Sequence, residues 1–98
     1  MKVYDWETAI TNRLQGQKFT INNLNDEKAM LEDIIRAGSA GLKDYISENC
    51  SLHHDEYIAN LDKTAKAVYD FYLPKSSSSL NVSIEYIKQQ IISQLNDE

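Results

Sequence analysis

The chain is poor in the residues that staple, break or loosen a backbone: it holds one cysteine, one proline and three glycines in 98 residues. The lone Cys50 excludes an intrachain disulfide and any zinc site built on cysteine ligands. No apolar run approaches the roughly 18 to 20 residues of a membrane span. The first residues, Met1-Lys2-Val3-Tyr4-Asp5-Trp6, turn polar too early for a signal peptide. A soluble, unexported chain is therefore expected, with no membrane partner. Positive charge is also scarce, with 10 Lys and Arg against 15 Asp and Glu for a net charge of −5. That balance argues against specific nucleic-acid binding, which relies on cations to neutralise phosphates. No glycine-rich phosphate loop and no Ser/His/Asp arrangement is present. Neither a cofactor nor a small-molecule substrate is implied.

What the chain does contain is helical periodicity. A single domain over residues 1–98 is expected, since a core of this size seldom divides in two. Trp6, Ala9, Ile10 and Leu14, at i, i+3, i+4 and i+8, mark a short helix over residues 5–15, with Asp5 as N-cap and Gly16 beyond its end. Residues 17–24 read as a connection. The strongest helix, over residues 26–48, is capped by Asn25 and carries Asp26 and Glu27 in the first turn, where the helix dipole favours negative charge. Leu31, Ile34, Ile35, Gly38, Leu42, Tyr45 and Ile46 form its face. Gly38 and Gly41 interrupt that face, so either the helix bends there or another part of the chain approaches closely.

A third helix over residues 52–73, capped by Ser51 and stopped by Pro74, presents Ile58, Leu61, Ala65, Val68 and Tyr72. Lys75 and serines 76–79 form a flexible linker over residues 75–79. A short C-terminal helix then shows Ile84, Ile87, Ile91 and Leu95, and its acidic end at Asp97 and Glu98 opposes the dipole and should fray. The fold class expected is all-α, a small four-helix domain. Its two longer helices pack antiparallel through Ile34, Ile35, Leu42, Ile46, Ile58, Leu61, Ala65 and Val68, because their connection is short.

Reactive constellations are few. His53 and His54 point about 100° apart on a helix and do not readily share a metal, and the chain has no third histidine to complete a phosphohydrolase site. Glu27, Glu32, Asp33, Asp44, Glu48, Asp62 and Asp70 could in principle hold magnesium, but they interleave with Lys28, Arg36, Lys43, Lys63 and Lys66 as solvated faces do. Cys50 has no cationic neighbour in sequence to lower its pKa. No catalytic or metal residue is assigned, and the chain is read as a non-enzyme. The six tyrosines and one tryptophan are a large aromatic content for a small helical chain. Tyr and Trp are enriched at protein contacts, which makes Tyr45, Tyr69, Tyr72 and Tyr86 the candidate interface residues.

The run Asn25-Asp26-Glu27 with Leu31, Ile34 and Ile35, continuing through Ala40 to Tyr45-Ile46 and Cys50, is followed by a helix bearing Leu61, Ala65, Tyr69 and Tyr72. A serine break and a closing segment from Ile84 to Leu95 complete the order. This arrangement resembles the small helical head-tail connector, or adaptor, proteins of tailed bacteriophages, in helix order and hydrophobic positions over most of residues 5–95. Gly38-Ser39-Ala40-Gly41 departs from the alanine-rich helix expected of that family. The resemblance implies a non-enzymatic subunit that assembles as a homo-oligomeric ring between the portal and the tail completion proteins, with duplex DNA passing through the ring. It also implies residence in the bacterial cytoplasm during assembly and in the virion afterwards. The alternative from a different class is a small acidic helical inhibitor, of antitoxin or immunity type, that covers a basic partner in the cytoplasm.

Overall fold

The computed structural model describes residues 6–15, 17–48, 54–76, 80 and 82–96, and the side chains of residues 6, 54 and 55 lie outside that description. Among the described residues there are four α-helices and no strand: α1 (Trp6–Leu14), α2 (Leu24–Glu48), α3 (His54–Tyr72) and α4 (Ile84–Asn96), with a 3₁₀ turn at Leu73–Lys75. The all-α, four-helix architecture expected from periodicity is the one observed. None of these helices is long and apolar enough to cross a membrane.

At a rise of about 1.5 Å per residue α2 is about 37 Å long, so it spans most of the 44 Å long dimension of the molecule. It is the spine on which the other three helices pack. Met30, Leu31, Ile34, Ile35, Ala37 and Leu42 are buried along it, meeting Ile10 of α1, Leu61, Ala65, Val68 and Tyr72 of α3, and Ile87 and Ile91 of α4. Glu27 of α2 acts on Tyr72 of α3, and Gly38 faces Thr64 and Val68. Ascending α2 therefore descends α3, and the pair is antiparallel as its short connection requires.

The glycines do not break the long helix, which is continuous from Leu24 to Glu48. Of the two expectations left open, close approach holds. A Cβ on Gly38 would lie 2.5 Å from Val68 Cγ2, 3.5 Å from Thr64 Cγ2 and 3.9 Å from Ile10 Cδ1. Gly38 is the position at which α1 and α3 both press on α2, and only a residue without a side chain admits them. The buried Thr64 satisfies its hydroxyl within its own helix, donating to the Asn60 carbonyl at 2.7 Å, so the contact introduces no unpaired donor from that side chain.

Four expectations need correction. The cap of α2 is Asn23 rather than Asn25: Asn23 Oδ1 accepts the Asp26 N–H at 2.9 Å, and Asp26 Oδ2 accepts the Asn22 N–H at 2.9 Å. This reciprocal arrangement starts the helix two residues earlier than Asn25 would allow. The α1 end uses Gln15 rather than Gly16, with Gln15 in the left-handed region at φ 52° and its N–H donating to the Thr11 carbonyl at 3.1 Å. Ile58 is 40 % exposed rather than core, because the core thins at that end: no residue of α2 after Leu42 is buried, and Ile46 is half-buried. Finally, α3 ends at Tyr72, and Pro74 shapes the 3₁₀ turn that follows.

Asp5, Gly16, Cys50, Ser51, serines 77–79, Asp97 and Glu98 lie outside the described residues, and so do most of the linker and the fraying end. Ser76, which is described, closes the 3₁₀ turn in an extended conformation, with its hydroxyl donating to the Leu73 carbonyl at 2.9 Å.

Three substitutions test this packing and the end of α1. Gly38→Ala should destabilise the fold by about 1 to 3 kcal/mol despite alanine's better helix propensity, because the β-branched Val68 is stiff and fully buried. Adding Val68→Ala should make Gly38→Ala less costly than it is alone, read as non-additivity in urea denaturation. Gln15→Gly should stabilise by up to about 1 kcal/mol, since glycine adopts positive φ without penalty. A lower urea midpoint for Gln15→Gly would show that the turn is not held in this conformation.

Candidate interaction groove

The fourth helix is fixed by a cap, two core residues and one ion pair. Ser83 Oγ accepts the Tyr86 N–H at 3.1 Å, and the Ser83 carbonyl accepts the Ile87 N–H at 3.2 Å. Ile87 and Ile91 are fully buried. Lys88 Nζ reaches Asp62 of α3 at 2.6 Å and Glu85, one turn earlier, at 3.6 Å. The hydrogen bond to Asp62 holds the Lys88 pKa above the ordinary lysine value, against a smaller opposing effect of desolvation, and the charges of Asp62 and Glu85 add to the rise.

Docked this way, α4 leaves an open groove of about 230 Å³ against α2. Leu31, Ile35 and Val82 supply apolar walls, while Lys28, Glu32 and Gln90 bring polar groups to it. Tyr86 also lines the groove and is 48 % exposed, and Ile84, two residues earlier, is 39 % exposed. A large aromatic ring and an isoleucine left in water on the first turn of one helix form a surface suited to a protein contact.

The four tyrosines singled out from the sequence are not brought together. Tyr86 stands at the groove. Tyr45 and Tyr69 are half-buried against the core, on different helices. Tyr72 is 2 % exposed and belongs to the core, so it is corrected from interface candidate to packing residue. It sits on the α3 stripe one turn beyond Val68, where α2 covers it. Its hydroxyl meets no acceptor in good hydrogen-bonding geometry, yet Glu27, itself fully buried, is close enough to act on it. Burial pushes the Tyr72 phenol above the ordinary tyrosine value, and the charge of Glu27 and its attraction for the hydroxyl proton push the same way, with a further contribution from Tyr69.

Four of the seven acids considered for magnesium are held in ion pairs. Asp33 pairs with Arg36, Asp44 with Arg13, Asp62 with Lys88 and Asp70 with Lys66. Among the described residues no group of three or more His, Cys, Asp or Glu could hold a metal ion. His53 and Cys50, and the side chain of His54, lie outside the described residues.

Sequence periodicity missed the groove itself. Lys28, Glu32 and Gln90 are ordinary polar positions along their helices and become neighbours only when α4 lies across α2. A local signal did exist for Tyr86: Ser83 three residues earlier is an N-cap, which places Tyr86 in the first turn of a helix and off the Ile87–Ile91 stripe. No family model, no curated protein and no solved structure matches the chain.

The Tyr72 environment predicts an alkaline signature. The unfolded phenol ionises near pH ~10 and the folded one above its usual value, so the folded state holds its proton longer. The stability so contributed is complete below the unfolded value and is lost as pH rises through the folded value. Tyr72→Phe should therefore flatten the decline in urea midpoint between about pH 9 and about pH 11, and at neutral pH it should change stability by no more than about 1 kcal/mol. An unchanged alkaline slope would show that Tyr72 does not titrate differently on folding.

Proposed function

We propose that the chain is a non-enzymatic structural subunit that works by protein–protein contact, resembling a phage head-tail connector that assembles as a ring on a portal. The observation that carries this reading is the α2–α4 groove with Tyr86 half in water beside it. The helix order supports the connector form of the reading: a long α2, an antiparallel α3, a break after Tyr72 and a short closing α4. The location follows from it, the bacterial cytoplasm during assembly and then the virion.

The pairing of four aspartates within the chain weighs against the acidic inhibitor. An inhibitor that covers a basic partner needs a concentrated acidic face. Here Asp33, Asp44, Asp62 and Asp70 are each paired with a cation of the same chain, and Glu27 is buried.

The test is native mass spectrometry of the chain mixed with a portal ring encoded by the same genome. Many copies per ring are expected. Tyr86→Ala should weaken that binding by at least about tenfold, with folding checked separately by circular dichroism, because exposed aromatics at contacts are frequent hot spots. Tight one-to-one binding to a basic toxin, or nanomolar affinity for duplex DNA at physiological salt, would replace this reading with another class.

A further inference from the structure

The molecule carries a second surface unlike the first. Gln17, Lys18, Phe19, Ile21, Met30 and Lys75 enclose an open hollow of about 500 Å³. Its floor is apolar, with Met30 buried and Phe19 and Ile21 half-buried. Its rim carries the exposed cations Lys18 and Lys75. Among the described residues neither forms an ion pair with a carboxylate. Lys75 instead lies 4.0 Å from the centre of the Phe71 ring and donates to the Phe71 carbonyl at 3.2 Å. In a chain of net charge −5 this hollow is a local inversion of sign over an apolar floor.

The first turn of α4 has the complementary character. Ile84 and Tyr86 are large and exposed, and between them Glu85 has 68 % of its side chain in water. Glu85 is held only loosely in its own helix, by Lys88 at 3.6 Å and by the Gln89 amide at 3.2 Å. The two surfaces also face apart. With about 100° of rotation per residue, Met30 in the hollow lies on roughly the opposite side of α2 from Lys28 and Ile35, which line the groove beside Tyr86. The α4 turn of one molecule therefore cannot fill the hollow of the same molecule, but it can fill that of another.

We propose that Ile84, Glu85 and Tyr86 of one copy dock into the hollow of a second copy, head to tail. Glu85 seats between Lys18 and Lys75, and Ile84 and Tyr86 cover Phe19 and Ile21. A contact between two different surfaces of identical chains is heterologous, so repeating it gives a ring where the rotation closes and a filament where it does not. The inference rests on the subunit reading above and names the neighbour that this α4 surface meets.

The experiment is sedimentation velocity of the full chain over a concentration series, with circular dichroism on each variant. The wild-type chain should self-associate, less so at high salt. Glu85→Lys should lower the association constant at least about tenfold, and Lys18→Glu with Lys75→Glu should do the same. Mixing the two variants should restore association, because each then offers the charge that the other's surface lacks. A chain that stays monomeric at every concentration, variants that associate like wild type, or a mixture that fails to recover would overturn the proposal. Portal binding separates this from the reading beneath it. Self-association without portal binding leaves the head-to-tail contact standing and removes the connector, and portal binding by a chain whose self-association is unmoved by both charge reversals does the opposite.

Discussion

The missing side chain at Gly38 sets the distance between α2 and α3, and the rest of the packing depends on it. With Val68 Cγ2 2.5 Å from where a Cβ would sit, the two helices are as close there as side chains permit. Ile10 reaches the same spot from α1, so one position on the spine registers three helices at once. Close packing of this kind converts many weak dispersion contacts into a defined geometry, and a volume change of a single methyl group is felt there.

Away from that contact the core is asymmetric. It is dense between Glu27 and Leu42 and thins toward Glu48, where Tyr45 and Ile46 are only half covered and Ile58 stands 40 % exposed. The dense half holds the polar exception, Glu27 beside Tyr72, and a buried carboxyl beside a phenol is expensive unless something offsets it. Two openings, one against α4 and one against the 17–21 connection, bring apolar side chains of the dense half toward solvent. That combination of a firmly packed centre with partly covered flanks supports the proposed role as an assembly subunit, since binding surfaces perform best on rigid elements.

The charges are arranged for self-neutralisation. Arg13 joins α1 to α2 through Asp44 and also reaches the Ala40 carbonyl, and Lys88 joins α4 to α3 through Asp62. Each of these solvent-exposed pairs adds little stability alone. Their effect is positional, because each ties a helix to its neighbour in chain order, α1 to α2 and α3 to α4, across the connection between them.

Much of the architecture was legible from spacing alone. The stripes Leu31, Ile34, Ile35, Leu42 and Leu61, Ala65, Val68 are buried as a period of 3.6 requires. Residue composition likewise anticipated that no described helix would cross a membrane. Periodicity assigns a face to a helix but carries no information about where along that face the neighbours run out, so the same stripe that buries Tyr72 leaves Ile58 exposed. The cap is Asn23 and not Asn25 because three asparagines, Asn22, Asn23 and Asn25, lie within four residues, and only the backbone decides which side chain meets a free N–H. The ambiguity at Gly38 was local in sequence and non-local in cause: a glycine inside a helix permits either a bend or a close approach, and only Val68, thirty residues away in the chain, selects between them. The groove beside Tyr86 and the lysine-rimmed hollow were decided entirely by tertiary structure, since their walls come from segments far apart in the chain and exist only once the helices have packed.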